Sequence, residues 1–250
     1  MSRVSPSPDA RRERPFGPLV LCYHAVSDGW GHELSVPPAA FERQLRLLRR
    51  WYRPVAAADL STAGRRSLHV TFDDAFRSVS AALPTLQRLR IPATVFACSG
   101  YADDGRPLDV PELSTDAAAQ PAELATMPWD TLRGLADDGL EIGSHTVSHP
   151  RLTRLDDAEL RRELRESRER IADELGRECR FLAYPYGDED QRVRAATRSA
   201  GYAAAFALPG TKSPADAWGI PRLGVWRKDH QLRLLTKVAF ARPRHAGARV

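Results

Sequence analysis

The chain has 250 residues, 42% of them hydrophobic and 28% charged, with 37 Lys and Arg against 32 Asp and Glu for a net charge of +5. That balance suits a globular protein with a sizeable core and excludes collagenous or low-complexity chains, while length alone leaves one large domain or two small ones open. The basic excess is mostly arginine spread along the whole chain. Such a spread reads as a solvated surface, whereas a nucleic-acid binder would concentrate it on one element, so no nucleic-acid partner is expected.

No apolar run approaches the roughly 18 residues of a membrane span, and none is expected. Residues 1–17 are rich in Arg, Pro and Ser and lack the apolar stretch of a signal peptide. They read as a disordered leader, and a cytoplasmic location is expected. Cys22, Cys98 and Cys179 have no CxxC spacing and form neither a disulfide framework nor a zinc-finger set. Cys22 and Cys98 sit in apolar runs and are expected to be buried thiols.

In chain order, 19–23 is the first strand, and 41–51 follows with apolar residues near helical spacing. A second strand, 68–72, runs into Asp73-Asp74. Residues 75–89 read as a helix broken or kinked at Pro84. A third strand, 93–98, leads into 101–125, an Asp-, Gly- and Pro-containing stretch with little periodicity, read as a long excursion near a site. A short helix at 129–138 ends at Gly139, and a fourth strand, 140–143, ends at His145. The longest helix opens at 155–157, capped by Asp156 or Asp157, and stops near Leu175 with Gly176 beyond it. A strand at 181–184 precedes Pro185-Tyr186-Gly187. A helix at 191–199, strands at 202–208 and 223–226 and a helix at 230–240 complete the chain, and 241–250 reads as a flexible tail. Strands alternating with helices imply a parallel sheet, open or closed.

Two motifs fall just past strand ends, where such sheets place their chemistry. Thr71-Phe72-Asp73-Asp74 supplies adjacent carboxylates, and His145-Thr146-Val147-Ser148-His149 supplies two imidazoles. His145 and His149 can face one ion if the segment turns helically, and Asp74 offers a carboxylate oxygen. Two imidazoles and one carboxylate leave coordination positions open, as in a catalytic zinc site or a non-haem iron site. If the Asp pair is still extended, the two carboxylates diverge, so that one binds metal and the other takes a proton. A divalent ion brings the pKa of water to about 7, within reach of a carboxylate base. The chemistry is then hydrolysis of an amide or ester.

These motifs resemble those of the polysaccharide deacetylase family, also known as the NodB-homology or carbohydrate esterase family 4 domain. Arg180-Phe181-Leu182-Ala183-Tyr184-Pro185-Tyr186-Gly187 resembles a variant of the family's third motif. Leu21-Cys22-Tyr23-His24, with Phe41-Glu42-Arg43-Gln44-Leu45, resembles the branch that N-deacetylates exopolysaccharide. The resemblance spans about residues 18–240. It implies a single-domain distorted (β/α) barrel of seven rather than eight parallel strands. It implies Asp73 as general base, and Asp74, His145 and His149 as ligands of one divalent metal, zinc or else cobalt, nickel or iron. It also implies that the Tyr186 backbone N–H stabilises the oxyanion. Pro185 and Trp226 are further candidates for substrate contact. The reaction implied is removal of acetyl from an N-acetylated aminosugar.

Two positions depart from the family pattern. The residue after Phe181 is not the Arg that orients the base, and Arg222 is expected to reach in from a later strand instead. No late Leu-x-His supplies the general acid, and His24 is the candidate in preference to His230. The alternatives are hydrolysis of another small acetylated or cyclic amide and a glycan-binding pseudoenzyme. The oligomeric state is left open.

Overall fold

The computed structural model describes residues 17–208 and 216–240. The expected tail and all but the last residue of the expected leader lie outside the described residues. The strands are β1 (Leu19–Tyr23), β2 (Arg53–Pro54), β3 (Ser67–Phe72), β4 (Ala93–Ala97), β5 (Glu141–Ser144), β6 (Phe181–Ala183), β7 (Ala204–Ala207), β8 (Ile220–Pro221) and β9 (Leu223–Gly224). The α-helices are α1 (Pro38–Leu48), α2 (Leu83–Leu89), α3 (Ser114–Ala119), α4 (Pro121–Leu124), α5 (Trp129–Asp137), α6 (Asp157–Leu175), α7 (Gln191–Ser199) and α8 (Gln231–Phe240).

The strands run in the order β8-β7-β6-β5-β4-β3-β1-β9, all pairs parallel, with β2 also pairing with the start of β3. The two ends of this path are nearly the same piece of chain, because only Arg222 separates β8 from β9. Ile220 pairs with Phe206 of β7, and Leu223 pairs with Leu21 of β1. The segment 220–224 therefore closes the sheet into a barrel. Its staves are β1, β3, β4, β5, β6, β7 and this split strand, which is the seven-stave architecture the resemblance implies. Neither β2 nor the β8 half of the closing strand is legible as a separate apolar run.

Parallel strands covered on both faces need apolar or internally paired side chains throughout, and β3 is buried at all six positions. One alternate set faces the helices, which contribute Phe41 and Leu45 from α1, Leu132 from α5 and Leu164 from α6. The other set forms a separate cluster around Val20, Phe96, Phe181 and Phe206 within the barrel. The helix caps follow the sequence. Asp156 and Glu159 make a reciprocal capping box on α6, and Gly176 ends it in the left-handed conformation at φ 61°.

Two expectations are refined. Residues 75–89 are not one kinked helix but a 3₁₀ segment, Arg77–Ala82, followed by α2. Pro84 lies in the first turn of α2, where its missing N–H leaves no hydrogen bond unmade. The 101–125 excursion contains α3 and α4, and Leu108, Val110, Leu113 and Leu124 pack with Trp30 and Phe76 into a core of its own. Trp30 Nε1 also donates to Asp116 of α3 at 2.9 Å. Among the described residues no helix is long and apolar enough to cross a membrane.

Candidate active site

β3 delivers the two carboxylates differently. The Asp73 N–H donates to the Tyr23 carbonyl at 2.9 Å, continuing the β1–β3 ladder. Asp74 then leaves the strand at φ 67° and Ala75 follows at φ 49°. The left-handed turn gives the two carboxylates different neighbours, yet both stay near His145 Nε2, Asp74 Oδ1 at 3.5 Å and Asp73 Oδ2 at 4.0 Å, so they do not diverge as an extended pair would.

The His pair reaches its place by a route the sequence does not disclose. The segment after β5 is not a helical turn. Thr146 and His149 both take positive φ, 71° and 63°. Side-chain bonds hold this loop: the Thr146 N–H donates to Ser144 Oγ at 3.0 Å and the His149 N–H to Thr146 Oγ1 at 3.1 Å. From α6, buried Glu163 accepts from the Val147 and Ser148 N–H groups at 2.8 and 3.0 Å and from Ser148 Oγ at 2.7 Å. The result is two imidazoles with centroids 4.8 Å apart and edge to face.

Asp74, His145 and His149 are all buried, and each offers one ligand atom within 4.8 Å of the others. His145 Nδ1 lies 2.7 Å from the Ala183 carbonyl, which can only accept, so Nδ1 carries the hydrogen and Nε2 a lone pair. That lone pair faces Asp74 Oδ1 at 3.5 Å, and His149 Nε2 faces the same oxygen at 3.3 Å. Asp74 Oδ1 is buried without a hydrogen-bond partner. Acceptors that converge in a buried place require a proton or a cation among them. Burial, reinforced by the charge of Asp73, drives the Asp74 carboxyl well above its usual range, and burial drives both imidazoles down. The set fits one divalent ion with coordination positions to spare.

Asp73 is held apart from this set. Arg222, at the break between β8 and β9, donates from Nη1 to Asp73 Oδ1 at 2.6 Å and from Nη2 to Oδ2 at 2.8 Å. Nη1 also reaches Thr71 Oγ1 at 3.1 Å. Arg222 is 2% exposed, so the fork is a buried bidentate pair. Burial acts to raise the Asp73 carboxyl, but the Arg222 charge and hydrogen bonds outweigh it and hold the group well below the usual carboxylate range. The Cys22 thiol donates to Asp73 Oδ2 at 3.4 Å. Sequence reasoning assigns Cys22 only burial and gives Thr71 and Glu163 no role. The signal available for Cys22 is its place two residues before His24 on the same strand end, so that both point inward.

His24 offers a ring nitrogen within 4.8 Å of the acidic oxygen of Asp73 and the Cys22 sulfur. Its ring stacks on Trp226 at 5.6 Å, and burial lowers its pKa to about 4. His230 stands exposed just before α8. Pro185 is buried, and Tyr186 takes φ 61° in a tight turn after β6, its ring 4.6 Å from that of His149. The structure thus gathers Asp73, Asp74, His145, His149, Arg222 and His24 at one end of the barrel, with Trp226 and Tyr186 beside them.

Residues 61–205 match the family model described as polysaccharide deacetylase. That span contains the two carboxylates, both imidazoles and Tyr186, and leaves His24, Arg222 and Trp226 outside. The chain is 22% identical over 201 residues to YxkH of Bacillus subtilis (strain 168), covering 77% of this chain and 64% of that protein. It is 29% identical over 145 residues to a chitooligosaccharide deacetylase of Bradyrhizobium sp. (strain ANU 289), covering 57% of this chain and 56% of that protein. It thus spans less than two thirds of the length of either curated relative. Among solved structures, IcaB from Ammonifex degensii shares the fold at a TM-score of 0.70 and 22% identity, over 89% of this chain and 97% of that one. The family model covers more than half of the residues, including both carboxylates and both imidazoles, and the chain belongs to the polysaccharide deacetylase family.

Proposed function

We propose that the protein is a metal-dependent carbohydrate N-deacetylase, hydrolysing the acetamide of an N-acetylated aminosugar to a free amine and acetate. The observation that carries this reading is the segregation of the two carboxylates. Asp74 shares a buried set with His145 and His149 that suits a divalent cation, while Asp73 is kept ionised beside it by Arg222. Asp74, His145 and His149 would hold the ion. When bound, the ion, zinc or a similar divalent metal, supplies Lewis acidity toward the acyl carbonyl and toward water.

The chain's own residues do the rest. Asp73 is the proton acceptor. Its Oδ2 faces the ligand set, 4.0 Å from His145 Nε2, while the Arg222 fork fixes its plane. A carboxylate held so low is a weak base, suited to taking a proton from a water whose acidity a bound divalent ion would raise. The Tyr186 N–H is the donor for the developing oxyanion. His24 is the donor to the leaving amine. Neutral at pH 7 because of burial, it takes up the proton that Asp73 has accepted, their ligand atoms lying within 4.8 Å, and passes it to the amine. Trp226, stacked on His24, offers an apolar face for the sugar ring, and Pro185 shapes the turn that carries Tyr186.

The test is acetate release by metal-reconstituted protein from N-acetylglucosamine, its oligomers and lipid- or nucleotide-linked forms. Wild type should release acetate with one metal bound per chain. Asp73→Asn should keep the metal and lose at least about a hundredfold in rate, as expected for a general base. Metal binding without acetate release from any of these compounds would refute the reading.

A further inference from the structure

Tyr186 is held from outside the barrel. Its hydroxyl donates to Glu112 Oε2 at 2.9 Å, and Glu112 Oε1 accepts from Arg151 Nη2 at 2.6 Å. The Arg151 guanidinium lies 4.0 Å from the Tyr186 ring centroid, while the His149 ring takes its edge at 4.6 Å. Glu112 belongs to the 101–125 excursion, seated between Val110 and Leu113, which are buried in its separate core. Arg151 lies two residues after His149. One cluster therefore ties three pieces of chain together: the excursion, the loop with both imidazoles and the turn after β6.

The cluster also has something to hold. Tyr186 sits at φ 61° with Gly187 at φ 68°. A left-handed non-glycine residue costs free energy and persists only where its surroundings over-determine it.

We propose that Glu112 and Arg151 are positioning residues that clamp Tyr186, fixing the direction of its backbone N–H and the seat of the His149 ring. This rests on the deacetylase reading for its kinetic consequence. Neither residue needs to touch the substrate. The clamp acts on the transition state, because the N–H matters most when charge has developed. Both side chains are partly exposed, at 45% for Glu112 and 35% for Arg151, so the ion pair itself adds little to folding stability.

The test compares Glu112→Ala, Glu112→Gln, Tyr186→Phe and the double variant Glu112→Ala/Tyr186→Phe in the reconstituted enzyme. Glu112→Ala and Tyr186→Phe should each lower kcat about tenfold with KM within about twofold, equivalent to about 1.4 kcal/mol. The double variant should be no slower than either single one, since both cut the same bond. Glu112→Gln, which can still accept from the phenol, should restore most of the rate, and thermal midpoints should stay together. A wild-type kcat in Glu112→Ala, or multiplicative losses in the double variant, would overturn the clamp while leaving deacetylation intact. If wild type itself proves inactive, the clamp is judged on the ¹⁵N–¹H resonance of Tyr186. That resonance should move in Glu112→Ala and stay in Glu112→Gln, and an unmoved resonance in Glu112→Ala rejects the proposal.

Discussion

Replacing Arg222 with Met removes the guanidinium that forks onto Asp73 and keeps an unbranched stem to fill its place. Three hydrogen bonds go with it, at 2.6 and 2.8 Å to Asp73 and 3.1 Å to Thr71. Breaking a buried pair from one side costs about 3–5 kcal/mol, because the remaining charge is left uncompensated. That is a large part of the roughly 5–15 kcal/mol that holds a domain together, yet short of certain unfolding. The dependence on pH distinguishes this account from simple loss of packing. In wild type the folded-state pKa of Asp73 lies below its unfolded value of 3.8, so the stability contributed by the pair is complete above that value. It is lost as pH falls toward the folded pKa. In Arg222→Met, burial dominates, the folded pKa rises above 3.8, and the folded state holds the extra proton. The variant therefore loses stability as pH rises through that new pKa. Urea unfolding of metal-free protein between pH 4.5 and 8 should show a wild-type-to-variant gap that widens with pH. The acidic limb of the kcat/KM profile should move upward in the same variant. A gap independent of pH, or a wild-type rate in the variant, would refute the assignment of Arg222 as the group that keeps Asp73 ionised.

Glu163→Ala should take away the acceptor of the partly buried Val147 and Ser148 N–H bonds, at about 0.5–1.5 kcal/mol each. It should also weaken metal affinity, read by competition with a chromophoric chelator, although Glu163 touches none of the ligands; unchanged affinity would show that the loop holds its shape without it. Burial lowers the pKa of both His24 and His69 to about 4 from 6.5, so the unfolded chain binds more protons across that interval. Stability should therefore be complete above pH 6.5 and fall as pH drops toward 4. His69→Asn, remote from the metal ligands, should reduce the slope by about one proton in urea titrations, and an unaltered slope would contradict the burial argument.

How much of this was legible in the sequence depends on the length scale of the interaction. The staves β1, β3, β4, β5, β6 and β7 announce themselves as apolar runs, because a buried parallel strand must be apolar on both faces. Asp156 and Gly176 announce the ends of α6 by local hydrogen bonding and left-handed backbone. The split strand does not announce itself, since Ile220-Pro221 and Leu223-Gly224 pair with β7 and β1 only after the barrel has brought those strands round. The expected partnership of Arg222 with Asp73 came from a missing Arg after Phe181, a chemical vacancy that the closing strand fills across 149 residues of sequence. The route of the His pair was not legible. A spacing of four suggests a helix, whereas the loop uses left-handed residues at Thr146 and His149, and Thr is a poor choice for that conformation on local grounds. What makes it tolerable is the set of bonds around it, from Ser144 Oγ, from Glu163 of α6 and from the His149 N–H to Thr146 Oγ1. Among the described residues six non-glycines take positive φ; four of them, Asp74, Ala75, Thr146 and His149, lie at or next to the ligand set, and a fifth is Tyr186. Local propensity fails where the backbone is bent to aim side chains at a common point, and the failures cluster where the chemistry is proposed to occur.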